Sequence, residues 1–259
     1  MSSTTGLLMR SAEDAETPPQ AIGSTIVVEA DSAQHRYPRF SLGPMSWRLD
    51  PGARTALVGA NGAGKTTLLS MLAGQLAPTG GVIRVGGINV ATDPIAVRRQ
   101  VAFVADRLLC CPWLTVTQHF RLQARFYPEW RMSVAVGTAE SLGLDVSHEL
   151  QSLSRGNSLK VALCSAFAQG ARLLLLDEPT AGLDPVARIE FLRLLKREVA
   201  MRQELSVVLA THILEDLEDL DATDLIVLRA GEAQHTDLST SARGESVSAL
   251  ARRELLILS

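Results

Sequence analysis

A glycine-rich segment at residues 59–67 has the residue types that bind phosphate groups. It reads Gly59-Ala60-Asn61-Gly62-Ala63-Gly64-Lys65-Thr66-Thr67, and it contains the pattern G-x-x-x-x-G-K-[ST]. The glycines let the backbone curl so that successive N–H groups and the start of the next helix face phosphate oxygens. Lys65 adds a positive charge toward the β- and γ-phosphates, and Thr66 offers a hydroxyl to Mg²⁺. The segment therefore predicts a site for a nucleoside triphosphate with Mg²⁺.

Two carboxylates follow a wholly apolar run later in the chain. Residues 173–176 are four leucines, which predict a buried strand of a parallel sheet, and Asp177 and Glu178 come directly after them. Because parallel sheets bind ligands at the carboxyl ends of their strands, both acids are expected beside the phosphate-binding loop. Asp177 is expected to hold Mg²⁺, and Glu178 to orient or deprotonate the water that attacks the γ-phosphate. A solvated strand end is the alternative, and the matching phosphate loop argues against it.

The elements that must position these residues alternate between strand and helix patterns. Strand patterns occur at 25–30, 40–49, 55–58, 82–90 as a hairpin, 101–104, 173–176, 206–210 and 225–228. Helical patterns occur at 65–77, 185–201 and 213–220, and more weakly at 246–258. Residues 113–150 are also helical in pattern and contain five of the eleven aromatic residues. This order predicts a parallel sheet with crossover helices and an inserted helical subdomain.

The residues that follow the two carboxylates carry a family resemblance. Asp177-Glu178-Pro179-Thr180-Ala181-Gly182-Leu183-Asp184 resembles the DEPT and D-loop segment of the ATP-binding cassette (ABC) ATPases, and the similarity extends over about residues 25–235. Leu153-Ser154-Arg155-Gly156-Asn157 resembles the family signature LSGGQ; Ser154 and Gly156 match it, whereas Arg155 and Asn157 differ. The resemblance implies an α/β fold: a P-loop NTPase (RecA-like) parallel-sheet core, an N-terminal antiparallel β subdomain, and the helical subdomain at about 107–165.

The resemblance also implies roles for three further residues. His212 is similar to the switch histidine that contacts the γ-phosphate, and Tyr37 lies near the position where the family stacks an aromatic ring on adenine. Asp106 occupies the Q-loop position, where the family mostly has Gln, and is expected to contact Mg²⁺ or position water. The catalytic set is Lys65, Glu178 and His212, and the metal set is Thr66, Asp177 and Asp106. The nucleotide-binding set is Tyr37, Gly59, Ala60, Asn61, Gly62, Ala63, Gly64, Lys65, Thr66, Thr67, Asp106, Ser154 and Gly156.

The resemblance implies two kinds of protein partner. In the family, ATP lies between the phosphate loop of one cassette and the signature of another, so a homodimer or heterodimer of cassettes is expected. The segment Phe126-Tyr127-Pro128-Glu129-Trp130, with Arg155 and Asn157, is similar to bacterial exporter-type cassettes that serve a separately encoded transmembrane permease. An exposed apolar patch is expected at the groove bordered by Asp106 and Trp113, where the family receives its membrane subunit. The implied reaction is hydrolysis of ATP to ADP and phosphate.

Composition narrows the classes of protein that fit. The chain has 259 residues with 25 basic and 28 acidic side chains, and a net charge of −3 argues against a nucleic-acid-coating protein. Its apolar runs are far shorter than the roughly 20 residues that span a bilayer. Residues 1–23 lack the features of a secretory signal and predict a disordered tail, and 236–259 predict a short C-terminal extension beyond a domain at 24–235. The expected location is cytoplasmic, on the inner face of the membrane through the permease.

Several alternatives remain at this point. A soluble ABC ATPase of the iron–sulfur assembly type would need no permease. Translation factors of the family carry two cassettes and repair members carry long coiled coils, and neither feature is seen in this sequence. A P-loop kinase or GTPase is disfavoured because no guanine-reading motif is present. The three cysteines, Cys110, Cys111 and Cys164, are interpreted as small reduced core residues, with a redox pair or a soft-metal site as the less favoured alternative.

Overall fold

Two β-sheets organise the residues that the computed structural model describes, which are 27–104, 111–238 and 246–257. The first sheet is antiparallel, in the order β2-β1-β4-β5. Its strands are β1 (Val28–Tyr37), β2 (Phe40–Leu49), β4 (Gly80–Val85) and β5 (Ile88–Asn89). In β2, Met45, Trp47 and Leu49 are buried while Ser46 and Arg48 are exposed, which is the alternation of a sheet with one face on the core. The predicted N-terminal antiparallel subdomain is confirmed.

The second sheet holds the predicted parallel core, in the order β10-β9-β3-β8-β7-β6. Its strands are β3 (Arg54–Gly59), β6 (Val101–Val104), β7 (Leu173–Asp177), β8 (Ser206–Thr211), β9 (Asp224–Arg229) and β10 (Glu232–Asp237). β10 pairs antiparallel with β9, and the other four strand pairings in this sheet are parallel. Every residue of β8 is buried, as expected of a strand covered on both faces. The carboxyl ends of β3, β8 and β7 therefore meet at one edge of the sheet.

Helices pack against the parallel sheet. They are α1 (Lys65–Leu72), α2 (Pro94–Gln100), α6 (Pro185–Ala200), α7 (Asp216–Leu220) and α8 (Val247–Ile257). α1 buries Leu68, Leu69, Met71 and Leu72 in the core shared by both sheets. The prediction that this helix runs to residue 77 was wrong, because Gly74 adopts φ +63° and ends the helical turn.

The inserted helical subdomain comprises α3 (Val116–Gln123), α4 (Met132–Ser141), a short 3₁₀ turn (Leu150–Ser152) and α5 (Arg155–Ala168). A capping box between Thr115 and Gln118 starts α3. One side of α5 contributes Val161 and Cys164 to the core of the subdomain, and another side packs Leu163 and Phe167 against β6 and β7. α5 therefore fastens the subdomain to the parallel sheet.

The cysteines that the structure describes have different environments. Cys164 is buried in the core of the helical subdomain, and burial raises the pKa of its thiol to about 12. Such a thiol stays protonated near neutral pH and packs as a small apolar group, as the sequence predicted. Cys111 is a partly buried free thiol, and Cys110 lies outside the described residues.

The predictions for the two ends of the chain can be compared with the structure only at the C-terminal end. α8 packs Leu250 and Ala251 against Ala56, Val58 and Leu225, so the predicted C-terminal extension lies on the parallel sheet. The predicted tail at 1–23 falls outside the described residues, and the boundaries of the 24–235 domain stay predictions. Among the helices described, none has both the length and the apolar character needed to span a bilayer.

Candidate nucleotide site

The phosphate-binding loop joins β3 to α1 through two glycines in the left-handed region. Gly62 has φ +81° and Gly64 has φ +111°. A Cβ added at Gly64 would lie 3.0 Å from the Phe40 ring, so both the conformation and the space there require glycine. Gly64 is also the N-cap of α1, and having no side chain it leaves the first N–H groups of the helix open to an anion.

Lys65 lies across this loop, with its side chain buried. Its Nζ donates to the carbonyl oxygen of Gly59 at 2.7 Å, and the Oε1 atom of Glu178 lies 3.2 Å from the same nitrogen. The ammonium therefore occupies the space between the start of the loop and the end of β7. A phosphate group that contacts Lys65 would also lie close to the Glu178 carboxylate.

Thr66 and Asp177 form the second contact between the loop and β7. The Thr66 hydroxyl donates to the Asp177 Oδ2 atom at 2.8 Å. Hydroxyl and carboxylate oxygens are the hard donors that Mg²⁺ prefers, so this pair fits the predicted metal set. Asp106, the third predicted member of that set, lies outside the described residues.

Glu178 and His212 contact each other where β7 and β8 end side by side. The Glu178 Oε2 atom lies 2.7 Å from His212 Nδ1 and accepts from the His212 main-chain N–H at 3.2 Å. Since a carboxylate only accepts, Nδ1 carries the proton of this contact. Glu178 also has φ +47°, a strained backbone for a non-glycine residue, and its N–H donates to Ala210 at 2.9 Å.

Lys65, Thr66, Asp177 and Glu178 share a cavity of about 250 Å³, and His212 is not among its lining residues. Its lining comprises Phe40, Ala60, Asn61, Gly62, Gly64, Lys65, Thr66, Thr67, Asp177 and Glu178. Phe40 lines this cavity although the sequence analysis did not select it, whereas Tyr37, predicted to stack on adenine, does not line it. The Tyr37 ring is 45% exposed, with its centroid 6.4 Å from that of Phe40. The two-residue connection at positions 38–39 was the missed signal, because it makes these two residues cross-strand neighbours.

Ser154 and Gly156 lie apart from the phosphate loop. Ser154 caps α5, and its hydroxyl accepts from the Asn157 main-chain N–H at 3.2 Å. Both predicted residues line a cavity of about 770 Å³ whose other wall includes Gly182 and Asp184. Among the described residues, the linings of this cavity and of the phosphate-loop cavity have no member in common.

A third cavity, of about 420 Å³, separates the helical subdomain from the parallel sheet. Phe103 of β6 lines it from the sheet side, and Phe126, Tyr127 and Trp130 line it from the subdomain. Phe126 is 66% exposed, and Trp113 elsewhere in the subdomain is 65% exposed. Trp113 does not line this cavity and Asp106 lies outside the described residues, so the apolar patch expected between them stays a prediction.

Comparison with known proteins gives a family for this arrangement. Residues 42–181 match the family model described as ABC transporter. Phospholipid-transporting ATPase ABCA3 of Homo sapiens is 31% identical over 201 residues, which are 76% of this chain and 12% of that protein. Retinal-specific phospholipid-transporting ATPase ABCA4 of Homo sapiens is 34% identical over 170 residues, which are 63% of this chain and 7% of that protein. The chain thus spans only a small part of the length of these relatives.

Solved structures show the same fold. One described as the ATP binding subunit of an ABC transporter matches with a TM-score of 0.76 and 27% identity, covering 89% of this chain and 99% of that chain. A dimeric ATP-binding cassette in a post-hydrolysis state with ADP and Pi matches with a TM-score of 0.71 and 22% identity, covering 82% and 98% respectively. The chain belongs to the ABC transporter family, of which it is an ATPase cassette.

Proposed function

We propose that this chain is the ATP-hydrolysing subunit of an exporter, which couples the closure of two cassettes to a separately encoded transmembrane permease. The observation that carries the proposal is the convergence of Lys65, the Thr66–Asp177 pair and the Glu178–His212 pair at one edge of the parallel sheet. These groups provide a cation for phosphate, oxygen donors for Mg²⁺ and a carboxylate for water. The chain would act at the cytoplasmic face of the membrane.

Each group has a separate part in the reaction. Lys65 and the N–H groups at the start of α1 bind the phosphates and stabilise the negative charge of the transition state. Thr66 and Asp177 would hold Mg²⁺, which would supply positive charge to offset the negative charge of the phosphates. Glu178 orients the attacking water and accepts its proton. His212 holds the Glu178 carboxylate through Nδ1 and contacts the γ-phosphate.

The position of the signature supports a second cassette as partner. Ser154 and Gly156 line a different cavity from Lys65, so the two parts of the chain do not contact one nucleotide together. In a dimer of cassettes, Ser154 and the N-terminus of α5 would bind the γ-phosphate of ATP held by the partner's phosphate loop. The dimeric state of the solved cassette with ADP and Pi supports this arrangement.

The aromatic-lined groove between the helical subdomain and the sheet supports a membrane partner. The exposed Phe126 ring lines this groove with the half-buried Tyr127 and Trp130, and together they offer apolar surface on which a partner segment can pack. A cytoplasmic helix of the permease would insert there and transmit the movement of the subdomain. The human relatives are named phospholipid-transporting ATPases, which favours a transporter over a soluble iron–sulfur assembly ATPase.

The Glu178→Gln variant tests this function. It keeps the size of the side chain but removes the base, so ATP should bind with wild-type affinity, hydrolysis should stop and an ATP-bridged dimer should accumulate. Size-exclusion chromatography with Mg-ATP and a phosphate-release assay measure these effects. The matched control is Glu232→Gln at an exposed position of β10, which should behave like wild type. Wild-type hydrolysis by Glu178→Gln, or a monomer at saturating Mg-ATP, would contradict the proposal.

A further inference from the structure

A fully buried carboxylate contacts residues that neighbour the predicted catalytic pair in the chain. Asp216, the first residue of α7, has no exposed surface. Its Oδ2 atom accepts from the Thr180 hydroxyl at 2.5 Å and lies 3.5 Å from the Thr211 hydroxyl. Its Oδ1 atom accepts from Arg188 Nε at 2.6 Å. A buried charge is costly unless it is paired and hydrogen-bonded, and here each carboxylate oxygen has a partner.

The three partners of Asp216 belong to the three segments that surround the hydrolysis site. Thr180 follows Glu178 by two residues, and Thr211 directly precedes His212. Arg188 lies in the first turn of α6, next to the D-loop. One carboxylate therefore joins the loop that carries the proposed base, the loop that carries the histidine, and the helix that follows the D-loop.

The geometry of the catalytic pair depends on these joined segments. The Glu178–His212 contact at 2.7 Å requires the ends of β7 and β8 to be held at a set separation. Glu178 also keeps the strained φ of +47°, which persists only where the surrounding contacts hold it. Thr180, which is 1% exposed, is the nearest point after Glu178 at which a side chain ties this loop to the loop of His212.

We propose that Asp216 is a positioning residue for ATP hydrolysis. It acts through Thr180 and Thr211 to hold the Glu178 and His212 side chains at their contact distance of 2.7 Å. The proposal rests on the roles proposed above for Glu178 and His212. Asp216 has no exposed surface, so it does not contact the nucleotide itself. Loss of the contacts between Asp216 and the two threonines would displace Glu178 from the attacking water while leaving the phosphate loop intact.

Two substitutions of Thr180 test its hydrogen bond to Asp216 with little change in side-chain volume. Thr180→Val keeps the shape and removes the hydroxyl, whereas Thr180→Ser keeps the hydroxyl. We expect Thr180→Val to lower kcat about 10- to 100-fold, because small misplacements of a reacting group have effects of this size. The KM for ATP and the Kd for ADP should not change, and Thr180→Ser should retain most of the activity. Asp216→Asn, which weakens the contact with Arg188, should likewise lower kcat without changing the KM for ATP or the Kd for ADP.

A double variant separates positioning from a general structural effect. If Asp216 acts through Glu178, adding Thr180→Val to Glu178→Gln should cause no further loss of the residual hydrolysis. Losses that multiply, or a Thr180→Val effect on nucleotide affinity and thermal stability with kcat unchanged, would overturn the proposal. If Asp216→Asn does not fold, the Thr180 pair decides the question.

The failure of this proposal is distinguishable from failure of the proposed function. Wild-type hydrolysis by Glu178→Gln would overturn the assignment of the base, and with it the positioning role. Blocked hydrolysis by Glu178→Gln together with wild-type kcat for Thr180→Val would overturn the positioning role alone.

Discussion

The phosphate-loop cavity and the signature cavity differ in how their polar side chains are used. Around the phosphate loop, residues from three strand ends contact one another: Lys65 pairs with Glu178, Thr66 with Asp177, and Glu178 with His212. At the signature, the Ser154 hydroxyl is bonded to the first turn of its own helix. The first cavity thus collects complementary groups from distant parts of the chain, whereas the second presents a capped helix N-terminus. This difference fits the proposed action of the signature on a nucleotide held by a partner cassette.

Packing explains why the two cavities differ. β3, β8 and β7 are adjacent in the parallel sheet, so whatever follows each strand arrives at the same edge. The signature instead begins α5, which is shared between the helical subdomain and the sheet.

The largest expected effect comes from Lys65→Ala, which removes a central contact of the phosphate-loop cavity. It removes the cation that faces the β- and γ-phosphates, and kcat/KM for ATP should fall about 10²- to 10³-fold or more, as for loss of a preorganised transition-state donor. Steady-state phosphate release measures the loss. Lys196→Ala is the control, because Lys196 is a half-exposed lysine on α6 whose partner is Asp221. Unchanged turnover in Lys65→Ala would show that Lys65 takes no part in ATP hydrolysis.

A mixing experiment tests whether the signature half acts on a second chain. Ser154→Arg and Lys65→Ala should each be inactive alone, since every composite site in either dimer has one damaged half. In an equimolar mixture, about half of the dimers pair one variant with the other, and each of these has one intact site. Activity should therefore recover to at most about a quarter of the wild-type rate. Full activity of Ser154→Arg alone would show that the signature does not take part.

Thr66→Val sharpens the assignment of the metal donors within the phosphate-loop cavity. It removes the hydroxyl that contacts Asp177 but keeps the shape of the side chain, so the Mg²⁺ concentration for half-maximal rate should rise about 10- to 100-fold. Thr66→Ser keeps the hydroxyl and should need only the wild-type concentration. Titration of Mg²⁺ at saturating ATP provides the measurement. An equal requirement in both variants would exclude a role for this hydroxyl.

The smallest effect on the isolated chain is expected at the aromatic groove, which serves neither cavity. Phe126→Asp places a charge on an exposed aromatic position and should abolish co-purification with a multispan membrane protein from detergent-solubilised membranes. The basal ATPase rate of the purified chain should not change. Ile95→Asp, at an equally exposed position of α2, is the control and should retain the partner. Retention by Phe126→Asp would place the membrane contact elsewhere.

Motifs with local backbone requirements could be predicted from the sequence. The phosphate loop is such a case, because Gly62 and Gly64 adopt positive φ values in a short connection. The two acids after the leucine strand are another, since strand burial and strand ends are encoded within a few residues. α2 and β10 were missed: the Pro94 start of α2 looks like a turn, and β10 is polar and partly exposed.

The sequence by itself determined which groups could do phosphate chemistry and which strands carry them. The tertiary structure alone decided which of these groups meet. Phe40 reaches the phosphate cavity through pairing of β1 with β2, and Asp216 reaches Thr180 and Arg188 from 36 and 28 residues away. The physical reason is that contacts between distant segments follow from the strand order β3-β8-β7 and from the packing of α6 and α7, and no local pattern encodes either.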